Sequence, residues 1–230
     1  VAWNVKLMPL KFGFDTASLL LAMDYARDHG AKIVNMSFGG PGFSQLEQNK
    51  INELTANDIL FVAAHGNDDS NTDLAQLNYP ANYDAPNILS VAATNRQDNI
   101  ASFSQYGSLT ADVAAPGLQI VTTGINSGYM TNPGIAGTSF SSPYAAGAAA
   151  LLRSHVSPAP DFREIRARLI ESGSSVSGAN SRFRTSGGRI DVDKALDMAA
   201  GPALVLKTFT VDPSGNQALD PAENATVTIV

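Results

Sequence analysis

The sequence predicts an α/β fold, a mostly parallel sheet with helices on both faces, followed by the start of a small all-β module. Three observations predict it. Strand-like and helix-like stretches alternate along residues 1–200. The runs at 59–64 and 88–93 are compact and apolar, as parallel strands buried on both faces must be. The composition, 44% hydrophobic and only 16% charged, supplies a core and excludes disorder, which needs low hydrophobicity with high net charge.

The elements follow in order. Residues 5–10 read as a short apolar strand, and 16–29 as a helix whose stripe is Leu19, Leu20, Met23 and Ala26, stopped by Gly30. Residues 32–37 return to strand. Ser44 with Glu47 makes a capping box for a second helix reaching about residue 57. After the two buried strands, Val113 and Ile120-Val121 mark shorter ones. A long helix of small residues covers 139–154, another starts near Asp161, and a last one covers 191–199. Ligands of such folds bind beyond the carboxyl ends of the strands. After Gly201-Pro202 the texture changes, with strand-like runs at 204–211 and 225–230 around a polar turn. Residues 1–200 therefore read as one domain and 201–230 as the start of an all-β module. Both ends of the chain fall in strand-like runs, so it reads as an internal piece of a longer protein.

Composition removes several classes of function. Fifteen basic residues against 21 acidic ones give a net charge of −6, and no basic run offers a nucleic-acid surface. The absence of cysteine excludes disulfides, thiol catalysis, zinc–thiolate sites and iron–sulfur clusters. No apolar run reaches the ~18 residues of a membrane span, and no basic-then-apolar leader opens the sequence.

Three segments carry chemistry. Gly137-Thr138-Ser139-Phe140-Ser141-Ser142-Pro143 sits where a loop enters the long small-residue helix. A serine there gains from free backbone N–H groups and the positive dipole end; the plainer reading is a helix cap. Ala64-His65-Gly66-Asn67 ends a buried strand, and its asparagine amide is placed to hydrogen-bond an oxyanion; the plainer reading is a turn asparagine. Asn35-Met36-Ser37-Phe38-Gly39-Gly40 is a second buried strand running into glycines, suited to pairing main chain with an extended peptide. A dinucleotide loop fails here, because no third glycine stands in register after Gly42.

Together these segments resemble the subtilisin-like serine protease family (subtilases, peptidase S8). Tyr79-Pro80-Ala81, Ser102-Phe103-Ser104, Ala115-Pro116-Gly117 and Gly187-Gly188-Arg189-Ile190-Asp191 also match, in family order, so the resemblance covers about residues 1–200. It implies Ser139 as the attacking serine and Asn67 as the oxyanion donor. It implies a substrate-binding set of Ser37, Phe38, Gly39, Gly40, Ala64, His65, Gly66 and Thr138. The implied reaction is hydrolysis of peptide bonds through an acyl-enzyme, by a secreted endopeptidase acting on polypeptides and needing no cofactor for its chemistry.

The family's triad runs Asp, His, Ser in chain order, and its first two members precede the strand that opens here. None of the histidines present replaces the missing base. His29 ends a helix leading to the amino edge of the sheet. His155 follows Ser139 by 16 residues on one helix, about 24 Å at 1.5 Å per residue. His65 lies at the correct edge, where the family usually has a small residue, and reads as a wall of the specificity pocket. The chain as it stands is therefore expected to be nearly inert. The alternative is a non-catalytic homologue that binds peptides or serves as scaffold. An esterase is disfavoured, since Gly-x-Ser-x-Gly has Ser141 in its last position. Asp69, Asn71 and Asp73 open a calcium-loop pattern that breaks at Leu74, so they read as a polar surface loop. Asp212, Ser214, Asn216, Asp220 and Glu223 fall at loop positions 1, 3, 5, 9 and 12 and are candidates for a structural calcium, against a solvated turn.

Overall fold

The computed structural model describes residues 2–74, 77–124, 128–130, 134–176, 187–199, 206–210 and 226–229. The chain divides into two compact units, residues 1–199 and 200–230.

The first unit is built on four parallel strands in the order β1-β2-β3-β4: Ile33–Met36, Leu60–Ala64, Ile88–Thr94 and Val113–Pro116. Val62 lies beside Asn35 on one flank and Leu89 on the other, and Val91 lies beside Val113. Every residue of β2 and β3 is buried, as strands covered on both faces must be, and their sequences are apolar but for Ser90 and Thr94 of β3. One face of the sheet (Leu60, Val62, Leu89, Val91) packs on α3, Thr138–His155, and on α4, Phe162–Glu171. Ala145, Ala148, Ala149 and Leu152 recur at helical spacing, and their small size lets α3 lie close under the strands. The opposite face (Phe61, Ala63, Ile88) packs on Leu19 and Met23 of α1, Thr16–Asp28, and Ile51 of α2, Gln45–Glu53. The predicted fold, parallel sheet with helices on both faces, is the observed one.

Local signals set most boundaries. The side chains of Asp15, Asp161 and Asp191 accept from the first-turn N–H groups of α1, α4 and α5, Val192–Asp197. The capping box of α2 is half formed. Ser44 accepts from Glu47 N at 3.4 Å, but the Glu47 carboxylate is drawn to Thr16 Oγ1 at 2.6 Å and the Tyr83 hydroxyl at 2.7 Å. Tertiary partners outcompete the local one. Beyond Glu53 the predicted helix tightens to a 3₁₀ turn, Leu54–Asn57, ended by Asp58 at φ 57°.

Two expected strands are absent. Residues 5–10 pair with no strand among the described residues, and Val5, Leu7 and Met8 are exposed; apolar character without a ladder partner does not make a strand. Ile120 is buried outside any strand, and the short ladder lies just beyond it, β5 Thr122–Thr123 against β6 Tyr129–Met130. In the second unit, β7 Leu206–Thr210 pairs antiparallel with β8 Thr226–Ile229.

Candidate active site

The carboxyl ends of β1 and β2 and the start of α3 meet around a cavity of about 230 Å3. Ser37, Phe38 and Gly39 line one wall, Ala64, Gly66 and Asn67 the other, and Thr138 and Ser139 close one side. The strands place these groups at the edge where parallel sheets bind ligands.

Gly137, not Ser139, is the N-cap of α3, with φ 150° and ψ 152°. A Cβ on residue 137 would stand 3.0 Å from Ser139 Oγ and 3.8 Å from Asn67 Nδ2. Glycine is thus required for its backbone angles, and a side chain there would crowd the Ser139 hydroxyl. Ser139 becomes the second residue of the helix, which excludes the capping role. Its N–H is one of the donors that a helix start leaves without an intrahelical partner, in the positive end of the dipole.

Pro143 determines what happens to the Ser139 carbonyl. A residue at 143 would ordinarily donate its N–H there, and proline has none. Ser37 Oγ fills the gap, donating to Ser139 O at 2.8 Å and lying 2.9 Å from Ser142 Oγ. The end of β1 is thereby tied to the backbone of the candidate nucleophile.

Asn67 is held from one side only. Its Oδ1 accepts from Thr138 N at 2.9 Å and from Thr138 Oγ1 at 3.0 Å, while Gly66 N donates to Thr138 Oγ1 at 3.2 Å. With its oxygen engaged, Asn67 turns its NH₂ outward, where Nδ2 has no partner among the described residues. Thr138 is 1% exposed, so its hydroxyl serves to fix Asn67. The result is a serine hydroxyl beside two N–H donors, the Asn67 amide and the Ser139 backbone. That is the arrangement needed to stabilise a tetrahedral oxyanion.

Two of the expected binding residues are placed otherwise. Gly40 has its N–H on Tyr79 O at 2.9 Å and its carbonyl on Tyr79 N at 2.7 Å, so its main chain is already paired. The His65 side chain is not a pocket wall. It is fully buried, with Nδ1 2.6 Å from Ser90 Oγ and Nε2 2.9 Å from Thr72 Oγ1, and burial pushes its pKa down to about 4. Both ring nitrogens being engaged, it is no base for Ser139. His29 stacks on Tyr25 at the end of α1 and His155 ends α3, both exposed.

Asn78 belongs to the site although no motif marks it. Its Nδ2 donates to Ala64 O at 3.3 Å and His65 O at 3.1 Å, and a Cβ on Gly39 would meet it at 2.5 Å. It closes the cavity between the two walls. The signal was its position directly before Tyr79-Pro80-Ala81. Asp68, exposed beside Asn67 and lining the same cavity, was not singled out either.

Asp73 takes four hydrogen bonds, from Ser108 N, Ser108 Oγ, Leu109 N and Thr110 Oγ1, which makes it a loop anchor. Among the described residues no cluster of His, Cys, Asp and Glu is arranged for a metal, and no helix is long and apolar enough to cross a membrane. Asp212, Ser214, Asn216, Asp220 and Glu223 lie outside the described residues.

Known proteins resemble this chain in sequence and in fold. Subtilisin Savinase of Lederbergia lenta is 32% identical over 178 residues, 77% of this chain and 62% of that one. Subtilisin DY of Bacillus licheniformis is 34% identical over 200 residues, 85% of this chain and 69% of that one. The alkaline protease of Alkalihalobacillus alcalophilus is matched over 44% of its length, so the chain spans less than two thirds of several curated relatives. A protease structure from Pseudoalteromonas arctica superposes with TM-score 0.69 and 27% identity over 80% of this chain and 59% of that one. The prenylagaramide maturation protease PagA superposes with TM-score 0.69 and 26% identity over 87% and 72%. Residues 1–189 match the Peptidase S8 subtilase family along nearly the whole first unit. The chain belongs to the subtilase family.

Proposed function

We propose that this chain carries the nucleophile, oxyanion and substrate-binding parts of a serine endopeptidase. Ser139 Oγ attacks the carbonyl carbon of a peptide bond, giving up its proton to a base. The carbonyl oxygen becomes an oxyanion held by Asn67 Nδ2 and Ser139 N–H. The C–N bond then breaks, the base returns the proton to the leaving amine, and water hydrolyses the Ser139 ester in the reverse sense. The base and its orienting carboxylate are the His and Asp that the family supplies from segments preceding this one. The observation that carries the reading is the double acceptance by Asn67 Oδ1 from Thr138, which leaves only the amide's donor side facing the cavity.

Substrate main chain is read as pairing with Ser37, Phe38 and Gly39, and the side chain before the scissile bond as entering the cavity that Asn78 closes. Polypeptide substrates are supported by the likeness to alkaline proteases, and an extracellular setting is what the family resemblance implies. The β-module at 201–230 and a structural calcium at Asp212, Asn216, Asp220 and Glu223 rest on sequence alone.

In a chain that includes the Asp and His segments, a fluorophosphonate probe should label Ser139. Ser139→Ala should abolish labelling and lower kcat by about 10⁶, the magnitude known for a subtilisin. Labelling that survives the substitution would refute the assignment. Residues 1–230 alone should turn over no faster than about 10⁻⁵ of that chain. An unlabelled, inactive longer chain would favour the peptide-binding homologue.

A further inference from the structure

The carboxyl end of β2 is held by a run of side-chain hydrogen bonds that the reaction above does not use. His65, 0% exposed, stands at its centre between Ser90 on β3 and Thr72 on the loop after β2. The proton positions follow from the partners. Thr110 Oγ1, 2.9 Å from Asp73 Oδ1, donates to that carboxylate, which can only accept. Thr72 Oγ1 then has two acceptors for its one proton, Tyr106 O at 3.0 Å and Thr110 Oγ1 at 2.5 Å. On either one the proton is spent, so His65 Nε2 carries hydrogen and donates to Thr72. His65 Nδ1 then accepts from the Ser90 hydroxyl.

The charges facing His65 are Asp73 on the loop and Asp112 before β4. Asp112 Oδ2 accepts from Ser90 N at 2.9 Å, and Oδ1 pairs with Arg166 of α4. Both carboxylates favour an imidazolium; burial opposes it and prevails. The next two residues make the contacts that aim the site, Gly66 N on Thr138 Oγ1 and Asn67 Oδ1 under Thr138 N. The His65 carbonyl also accepts from Asn78 Nδ2 at the end of the cavity. A small residue at 65 would leave the hydroxyls of Ser90 and Thr72 facing a void.

We propose that His65 is a positioning residue for Asn67, a neutral Nε2–H imidazole that ties the end of β2 to β3 and the following loop so that Gly66 and Asn67 meet Thr138. This rests on the oxyanion role proposed for Asn67.

Two measurements on the 230-residue chain test it without reading activity. Nitrogen-15 NMR should show His65 with its proton on Nε2 at pH 7 and still neutral at pH 5. The opposite tautomer, or an imidazolium at pH 5, would overturn the proposal. Amide hydrogen exchange in His65→Ala should then speed Gly66 and Thr138 about tenfold more than Val62 and Leu89. His65→Gln, whose amide can still donate to Thr72, should recover part of that protection. Equal acceleration at all four positions would make His65 a stability residue only, and the proposal falls. If His65→Ala does not fold, Thr72→Val, which removes the acceptor of Nε2, gives the same comparison. An inactive longer chain with selective protection intact would remove the oxyanion reading while leaving His65 as the anchor of Asn67.

Discussion

The two edges of the parallel sheet treat polar side chains in opposite ways. At the amino edge they tie the chain to itself. Asn87 Nδ2 donates to Ile51 O at 2.9 Å and Ile59 O at 3.1 Å. Asp58 accepts from Phe162 N at 2.8 Å and pairs with Arg153 at 2.6 Å. Asp112 takes both Ser90 N and Arg166. At the carboxyl edge two polar groups are bound on one side and open on the other. Ser139 has its carbonyl fixed by Ser37 and its hydroxyl at the cavity; Asn67 has its oxygen fixed by Thr138 and its NH₂ at the cavity. Side chains that are rigid yet unspent are what a preorganised site needs. Buried polarity alone would not have separated the edges; the unspent donor does.

The contrast can be broken by exchanging the kind of effect that each edge produces. The largest expected effect is at the amino edge. Asp112→Ala removes a side chain only 5% exposed, leaves Arg166 with Ile88 O but no carboxylate, and leaves Ser90 N without its acceptor. Urea denaturation should show a loss of about 3–5 kcal/mol, the range for breaking one member of a buried ion pair. At the carboxyl edge the effect moves from stability to rate. Asn67→Ala, in a chain including the Asp and His segments, should lower kcat by about 10²–10³ with little change in KM, the magnitude known for a subtilisin. Its stability cost should stay within about 1.5 kcal/mol, since one ordinary acceptor is lost. A large KM effect at constant kcat would make Asn67 a binding residue. Equal stability losses for the two variants would dissolve the distinction between the edges.

The sheet and its helices were legible because their signals are local. Residues 59–64 are apolar without interruption, residues 88–93 are apolar but for Ser90, and Asp15, Asp161 and Asp191 each stand one residue before a helix. The site was legible as motifs but not as geometry. That Gly137 caps α3, and that Pro143 frees the carbonyl which Ser37 takes, both follow from helix hydrogen bonding once Ser139 is placed in the second position. Other features depended on residues distant in sequence. Residues 5–10 look like a strand in composition, yet strand formation needs a partner. Gly40 looks free, yet Tyr79 from another loop occupies its main chain. His65 sits where an alternating strand could turn a side chain to the cavity. Its real partners are Ser90 and Thr72, 25 residues on and 7 residues on, and only folding brings them together.

One more measurement sharpens the comparison by separating two windows of acid lability. His65 is held near a pKa of about 4 in the folded chain, against 6.5 when exposed. Below pH 6.5 the unfolded state takes up a proton that the folded state refuses, so stability falls with pH until about pH 4, where both states are charged. The loss across that window is about 3 kcal/mol. Asp191 has the opposite shift. Hydrogen bonds from Ser174 and the Lys194 backbone hold it at about 2, against 3.8. Its contribution is present above pH 3.8 and disappears as pH falls toward 2. Urea midpoints at pH 7, 4 and 2 should therefore decline in two steps. His65→Gln should flatten the first step and leave the second, while Asp191→Asn should do the reverse. A first step of unchanged size in His65→Gln would mean that another group titrates there, and the buried imidazole would lose its place as the acid-sensitive anchor of the carboxyl edge.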